Sequence, residues 1–130
     1  MDQEILEKIQ QILSSALGVD RDEVRPEASL TRDLGAESID FIDIIFRLER
    51  AFDIKIPSGE LFPGNLLNDD RFVQGGVVTA DGLTELKVKV PYLDVDSFSR
   101  DPQVARLAEF FTVQMVADYL KDRLAKSAKV

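Results

Sequence analysis

A chain of 130 residues with 45% hydrophobic content suffices for one domain with a real core, and its formal net charge of −8 repels nucleic acid and anionic membrane while drawing basic protein surfaces. It contains no cysteine and no histidine. That double absence excludes a disulfide framework, a cysteine-ligated metal, a thiol nucleophile, the Ser-His-Asp and Cys-His constellations and the usual zinc sites. If acyl chemistry occurs here, the reactive atom is imported. Met1 to Lys8 mixes charges without a basic region and an apolar run, so no signal peptide is read. No segment approaches the ~18 consecutive apolar residues of a spanning helix, and the expected setting is soluble and cytoplasmic.

Residues 3–17 place Ile5, Leu6, Ile9, Ile12, Leu13 and Ala16 at helical spacing, with Asp2 as the expected N-cap and Gly18 as the stop. From Val19 to Arg32 the pattern breaks around Pro26, predicting a long loop with one helical turn near Asp20–Val24 and with Val24 and Leu30 as core anchors. A second helix is predicted from Ser38 to Ala51. Phe41, Ile45, Leu48 and Phe52, widened by Ile44, form its buried face, while Ile39, Ile42 and Phe46 lie on an adjacent face. This helix is either deeply buried or shows an apolar stripe to a partner.

Phe52 to Pro57 alternates and leaves the helix extended. Gly59 to Leu67 is compatible with a short helix interrupted at Pro63-Gly64. Val77 to Leu83 reads as a β-hairpin whose second strand, Thr84 to Val90, alternates apolar and charged residues and must pack on the helices or on another chain. Asp101-Pro102 reads as an N-cap followed by a proline at the first helical position of a short helix carrying Val104, Leu107 and Ala108. Thr112 is the expected N-cap of a last helix with Val113, Val116, Ala117, Leu120 and Leu124 inward, and Ser127 to Val130 is expected to fray.

The run Asp33-Leu34-Gly35-Ala36-Glu37-Ser38-Ile39-Asp40 puts one serine where a loop turns into the amphipathic second helix. Amide groups without intrahelical partners and the positive end of the helix dipole would stabilise a phosphate esterified there, so Ser38 is a candidate attachment point. The plainest alternative is that Ser38 is simply an N-cap. Asp33 and Glu37 before it, with Asp40, Asp43 and Glu49 after it, make an acidic surround that a partner could read or that merely favours the helix start.

The order of elements joins these readings. A helix, a loop ending in Asp-Leu-Gly-Ala-Glu-Ser-Ile-Asp, the second helix, Phe-Asp-Ile-Lys-Ile-Pro and a final Thr-Val-Gln-Met-Val-Ala-Asp-Tyr-Leu closely resemble an acyl carrier protein over residues 1–57 and 102–125. The resemblance implies a mainly α fold, a four-helix bundle with an inserted β-hairpin, as one domain with its core at 1–57 and 101–130 and an insertion at 58–100. It also implies that a phosphopantetheinyl transferase attaches 4'-phosphopantetheine covalently to Ser38, and that the arm's thiol holds acyl intermediates as thioesters. The chain would be a carrier and no enzyme, a monomer presenting its second helix to acyl-transferring and fatty-acid synthesis enzymes. Ile39, Ile42 and Phe46 would meet those enzymes, and Glu37, Asp40, Asp43 and Glu49 their basic docking patches. Leu48, Phe52, Val116 and Leu120 would border a cleft for the acyl chain.

Three departures point to a specialised carrier. Glu37 stands where aspartate is more usual, Arg47 and Arg50 interrupt a helix that is typically more uniformly acidic, and 58–100 has no counterpart in a minimal carrier. The segment reads either as a tolerated elaboration or as a flap that selects partners or covers the acyl chain, with Phe62, Leu66, Leu67, Phe72, Tyr92, Leu93 and Phe98 available to dock it. A dedicated fatty-acid or lipid pathway, such as supply of acyl chains to envelope lipids, is the expected setting. A peptidyl or aminoacyl carrier is disfavoured by Gly-Ala-Glu before the serine and by the acidic helix. An unmodified helical interaction protein is the rival from another class.

Overall fold

The computed structural model describes residues 2–57, 59–63 and 66–128, and the side chains of all of these except Asp2, Ser38, Ser127 and Ala128. It is mainly helical with one small antiparallel hairpin, as the sequence predicts. Helix α1 is Asp2–Leu17. Ile5, Ile9 and Leu13 recur every four residues and are buried, with Leu6, Ile12 and Ala16 packed beside them. Asp2 is already within the helix rather than its cap. The Gly18 N–H donates to the Ser14 carbonyl at 2.9 Å and closes the last turn. A 3₁₀ turn at Arg21–Glu23 follows, steadied by the Asp20 N–H donating to the Glu23 carboxylate at 2.8 Å. Val24 and Leu30, the expected anchors, are fully buried.

Helix α2 spans Ser38–Phe52 and packs on α1. Ile44 and Leu48 are fully buried, and Phe41, Ile45 and Phe52 are partly buried against the core. The helix ends with Asp53 in a left-handed conformation (φ 52°), after which Ile54 to Pro57 is extended with Ile56 buried. Between Gly59 and Leu67 the described residues form turns and a 3₁₀ segment at Leu66–Asn68, and the expected break at Gly64 lies outside them.

The hairpin lies earlier than the sequence pattern placed it. Strands β1 (Val73–Gln74) and β2 (Val77–Val78) pair antiparallel across Gly75 and Gly76, both at positive φ (60° and 78°), the combination that a two-residue hairpin turn needs. The expected second strand, Thr84 to Val90, belongs instead to helix α3, Ala80–Lys89, and to its C-cap Val90. Two local signals decide this. The Thr79 hydroxyl caps the helix by accepting the Gly82 N–H at 3.1 Å, and of the alternating apolar residues only Leu86 and Val90, four apart, are buried while Val88 is exposed.

Helix α4 (Val95–Phe98) is capped by Asp94, which accepts from the Ser97 hydroxyl at 2.7 Å; that hydrogen bond holds the Asp94 carboxyl below the usual carboxylate range. Helix α5 is Val104–Leu107 with Gln103 as its N-cap. The predicted Asp101-Pro102 start is therefore two residues early. Pro102 serves the hairpin instead, its carbonyl accepting the Val78 N–H at 2.8 Å, while the Val104 N–H donates to Gly76 at 2.9 Å. A 3₁₀ turn, Ala108–Phe110, leads to helix α6, Val113–Ala128. Thr112 caps α6 as expected, accepting the Met115 N–H at 3.1 Å. Val113, Val116 and Leu120 are fully buried, and α6 packs against α1. The predicted fraying does not begin at Ser127, since the helix runs through Ala128; Lys129 and Val130 lie outside the described residues.

A polar cluster ties the 55–92 region to α6. Glu60 accepts from the Tyr119 hydroxyl at 2.8 Å and from Arg123 at 2.9 Å, and Arg123 also reaches the Lys55 carbonyl at 2.6 Å. The Tyr92 hydroxyl donates to Asp122 at 2.5 Å. Nothing local in the sequence signals this cluster, because its partners stand 30 to 68 residues apart.

Candidate functional site: the start of α2

The loop entering α2 is held by its own backbone and by the 108–114 segment. Leu30 donates to the Phe111 carbonyl at 2.8 Å, Ala36 donates to Leu30 at 2.8 Å, and the Thr31 hydroxyl donates to the Ala108 carbonyl at 3.2 Å. Ser29 is buried and paired with Thr112 by an antiparallel bridge. Asp33, which stood among the acids a partner could read, is exposed but spoken for within its own loop: its carboxylate accepts the Ser29 N–H at 2.7 Å. Leu34 and Ala36 are buried and pin the loop, while Gly35 takes the left-handed conformation (φ 75°). The result is a fixed approach to the first turn of α2.

Glu37, not Ser38, is the N-cap of α2. Its extended backbone donates from its N–H to the Asp40 carboxylate at 2.8 Å, and the Asp40 N–H returns to the Glu37 carbonyl at 2.9 Å. An acid three residues after the cap makes this reciprocal arrangement available, which is why the cap shifts back by one position. Ser38 becomes the first residue of the helix, and its side chain lies outside the description. Its neighbours Glu37 and Ile39 are both exposed, so the chain reaches the surface at this position.

Of the other residues singled out from sequence, Ile39, Ile42 and Phe46 lie 72%, 60% and 62% exposed on one face of α2. The acids are less free. Asp43 pairs with Arg47 at 3.0 Å, Arg47 also reaches the Ser15 hydroxyl at 3.3 Å, and Glu49 accepts the Ile56 N–H at 2.8 Å. Leu48, Val116 and Leu120, expected to border a cleft, are fully buried, and Phe52 is partly buried with Lys8 5.2 Å from its ring centre.

The sequence reading missed an aromatic cluster one turn into α2. Phe41 stands 4.7 Å from Phe62 and 5.7 Å from Phe111, and the last two are 5.3 Å apart. Phe111 directly precedes the Thr112 cap, a position where an apolar residue commonly staples a helix start, and that signal could have found it. Among the described residues no group of three His, Cys, Asp or Glu side chains could hold a metal, and no helix is long and apolar enough to cross a membrane.

A family model described as a phosphopantetheine attachment site matches residues 7–65, a stretch containing α1 from Glu7 onward, the loop and all of α2. The class is thus a phosphopantetheine-carrying protein, the cofactor being 4'-phosphopantetheine, covalently bound. The chain is 52% identical over 58 residues to an acyl carrier protein of Rubrobacter xylanophilus, covering 45% of this chain and 72% of that protein. It is 46% identical over 56 residues to acyl carrier proteins of Guillardia theta and Cyanidioschyzon merolae, in each case 43% of this chain, and 69% and 62% of those proteins. The chain belongs to the acyl carrier protein family. It spans less than two thirds of the length of the Cyanidioschyzon relative.

The start of α2 suits such a group. A fifteen-residue helix offers first-turn amides and the positive end of its dipole to a phosphate, and the position needs only surface access for a long arm to extend. Asp40 lies in the same turn, but its carboxylate is engaged by the Glu37 N–H.

Proposed function

We propose that Ser38 is the residue that carries the phosphopantetheine arm and that the chain is a carrier without catalytic activity of its own, serving as substrate for partner enzymes. The observation that carries this reading is the placement of Ser38 as the first residue of α2, between exposed Glu37 and Ile39, on a loop fixed by Leu30, Leu34 and Ala36. When bound, the group supplies a terminal thiol that holds an acyl chain as a thioester, chemistry that a chain without cysteine cannot supply itself. The chain's own residues present the arm. The first-turn α2 amides would face the phosphate, and Ile39, Ile42 and Phe46 offer an apolar surface to visiting enzymes, with exposed Glu37 at its start for a basic patch and Asp40, Asp43 and Glu49, each also bonded within the chain, beside it.

The partners on this reading are a phosphopantetheinyl transferase and the enzymes of a dedicated fatty-acid or lipid pathway, with envelope lipid as the setting. Arg47 and Arg50 on α2 support specialisation, since a general carrier gains from a uniform docking charge. Residues 1–130 act as one cytoplasmic, monomeric domain, with 58–100 inserted in a core of 1–57 and 101–130. The backbone bonds from β2 to Pro102 and from Val104 to Gly76 support that organisation.

The test is incubation of the purified chain with coenzyme A and a phosphopantetheinyl transferase, followed by intact mass measurement beside a Ser38→Ala control. One phosphopantetheine addition on the native chain and none on the variant is expected. No addition to the native chain, or addition to Ser38→Ala, overturns the assignment.

A further inference from the structure

The outward face of α2 is not uniformly acidic. Ile39, Ile42 and Phe46 form its exposed middle, and Arg50, four residues beyond Phe46, continues the same face by one more turn. Arg50 is exposed and has no hydrogen-bond or ion-pair partner among the described residues. Asp43 pairs with Arg47 and Glu49 accepts the Ile56 N–H, while exposed Asp53, the left-handed C-cap three residues beyond, makes no ion pair with Arg50. At the opposite end stand exposed Glu37 and the position that the proposed function gives to a phosphate. The face is therefore polar along its length, anionic at the start of α2, apolar in the middle and cationic about 18 Å further on, at ~1.5 Å per helical residue.

We propose that the enzyme surface docking on α2 is an apolar trough with a basic end over Glu37 and a carboxylate over Arg50, so that the charge polarity of the stripe sets the direction in which the enzyme lies. This rests on the carrier reading and deepens it. A docking surface that is basic along its whole length would set a cation against Arg50, and that repulsion rejects the enzyme even though the net charge of −8 attracts it from a distance. The apolar middle supplies the affinity, and the two charged ends supply register.

The probe is the phosphopantetheinyl transferase from the protein's own cells, with coenzyme A in excess and loading followed by intact mass at low and high salt. Arg50 is exposed, so Arg50→Gln and Arg50→Glu should keep the native circular dichroism. The expected result is an apparent KM for the apo chain raised about threefold by Arg50→Gln and about tenfold by Arg50→Glu, with kcat unchanged and the gap narrowed by salt. Phe46→Ala should raise it about thirtyfold without that salt dependence. A native chain that loads while Arg50→Glu loads equally well or faster overturns the docking proposal alone. A native chain that does not load overturns the carrier reading and this proposal with it.

Discussion

Helix α2 and the 59–100 segment dispose of their apolar residues in opposite ways. The helix spends one face on the core through Ile44 and Leu48 and leaves Ile39, Ile42 and Phe46 more than half exposed. The segment turns most of its apolar residues inward: Leu61, Val78, Leu86, Val90, Leu93, Val95 and Phe98 are buried, Val77 and Val88 stay exposed at its surface, and Phe98 stacks edge-on to Phe110 at 5.6 Å. Two apolar-rich stretches of one chain thus differ in what their apolar groups are for. Burial stabilises the fold by roughly 25 cal/mol per Å² of apolar surface, while the same groups left in water contribute nothing to folding and remain available for contact with something else. The segment behaves as core, and α2 is half core and half surface kept for use.

The sharpest way to break this contrast is to truncate one aromatic from each side. Phe98→Ala should destabilise by about 3–5 kcal/mol, because a fully buried ring leaves a cavity, whereas Phe46→Ala should stay within about 0.5 kcal/mol of the native chain in urea unfolding. Equal losses would erase the distinction. A somewhat smaller effect is expected at Gly82, where a Cβ would lie 2.3 Å from the Phe72 carbonyl oxygen and 2.7 Å from Val78 Cγ1. Gly82→Ala must push α3 off the hairpin, at a cost of about 1–3 kcal/mol in the same measurement.

The attachment of the segment to α6 is sensitive to alkali. Burial, then the Asp122 carboxylate, pushes the Tyr92 phenol up to about 12, and burial together with Glu60 also pushes Tyr119 up. A phenol whose folded pKa exceeds its unfolded value near 10 contributes stability that is full below pH ~10 and lost as pH rises through the folded value. Denaturation midpoints should therefore fall between pH ~10 and 12, and less steeply in Tyr92→Phe. An identical slope in the variant would separate Tyr92 from the alkaline transition. The smallest effect belongs to the other region. Breaking the exposed Asp43–Arg47 pair with Asp43→Asn should change stability by no more than about 0.5 kcal/mol, since water screens such pairs. A larger loss would mean that the outer face of α2 is structural after all.

Much of this was legible beforehand where periodicity and caps agree. The apolar spacing of α1, α2 and α6, the Thr112 cap and the Val24 and Leu30 anchors follow from residues within one or two turns of one another, whereas the periodicity of α2 left Ile39, Ile42 and Phe46 either buried or outward. The same kind of local reading went astray at Thr84 to Val90. There a two-residue alternation and a helical spacing coexist, and Gly75-Gly76 offered an earlier turn that frees Thr79 to cap α3. At the start of α2 the predicted first residue, Ser38, holds, and only the alternative of a serine cap gives way to Glu37, because Asp40 bonds back to the Glu37 N–H.

By itself the sequence determined the helical framework, the serine at the head of α2 and the chemistry that a chain without cysteine or histidine cannot perform. Helical period, capping preference and composition are properties of neighbouring residues, so no fold is needed to read them. Only the tertiary structure decided that Asp33, Asp43 and Glu49 are engaged within the chain while Arg50 stands exposed. It also brought Phe41, Phe62 and Phe111 together and set Glu60 between Tyr119 and Arg123. Which charge is quenched and which ring is covered depends on groups dozens of residues apart, and their distances exist only once the chain has closed on itself.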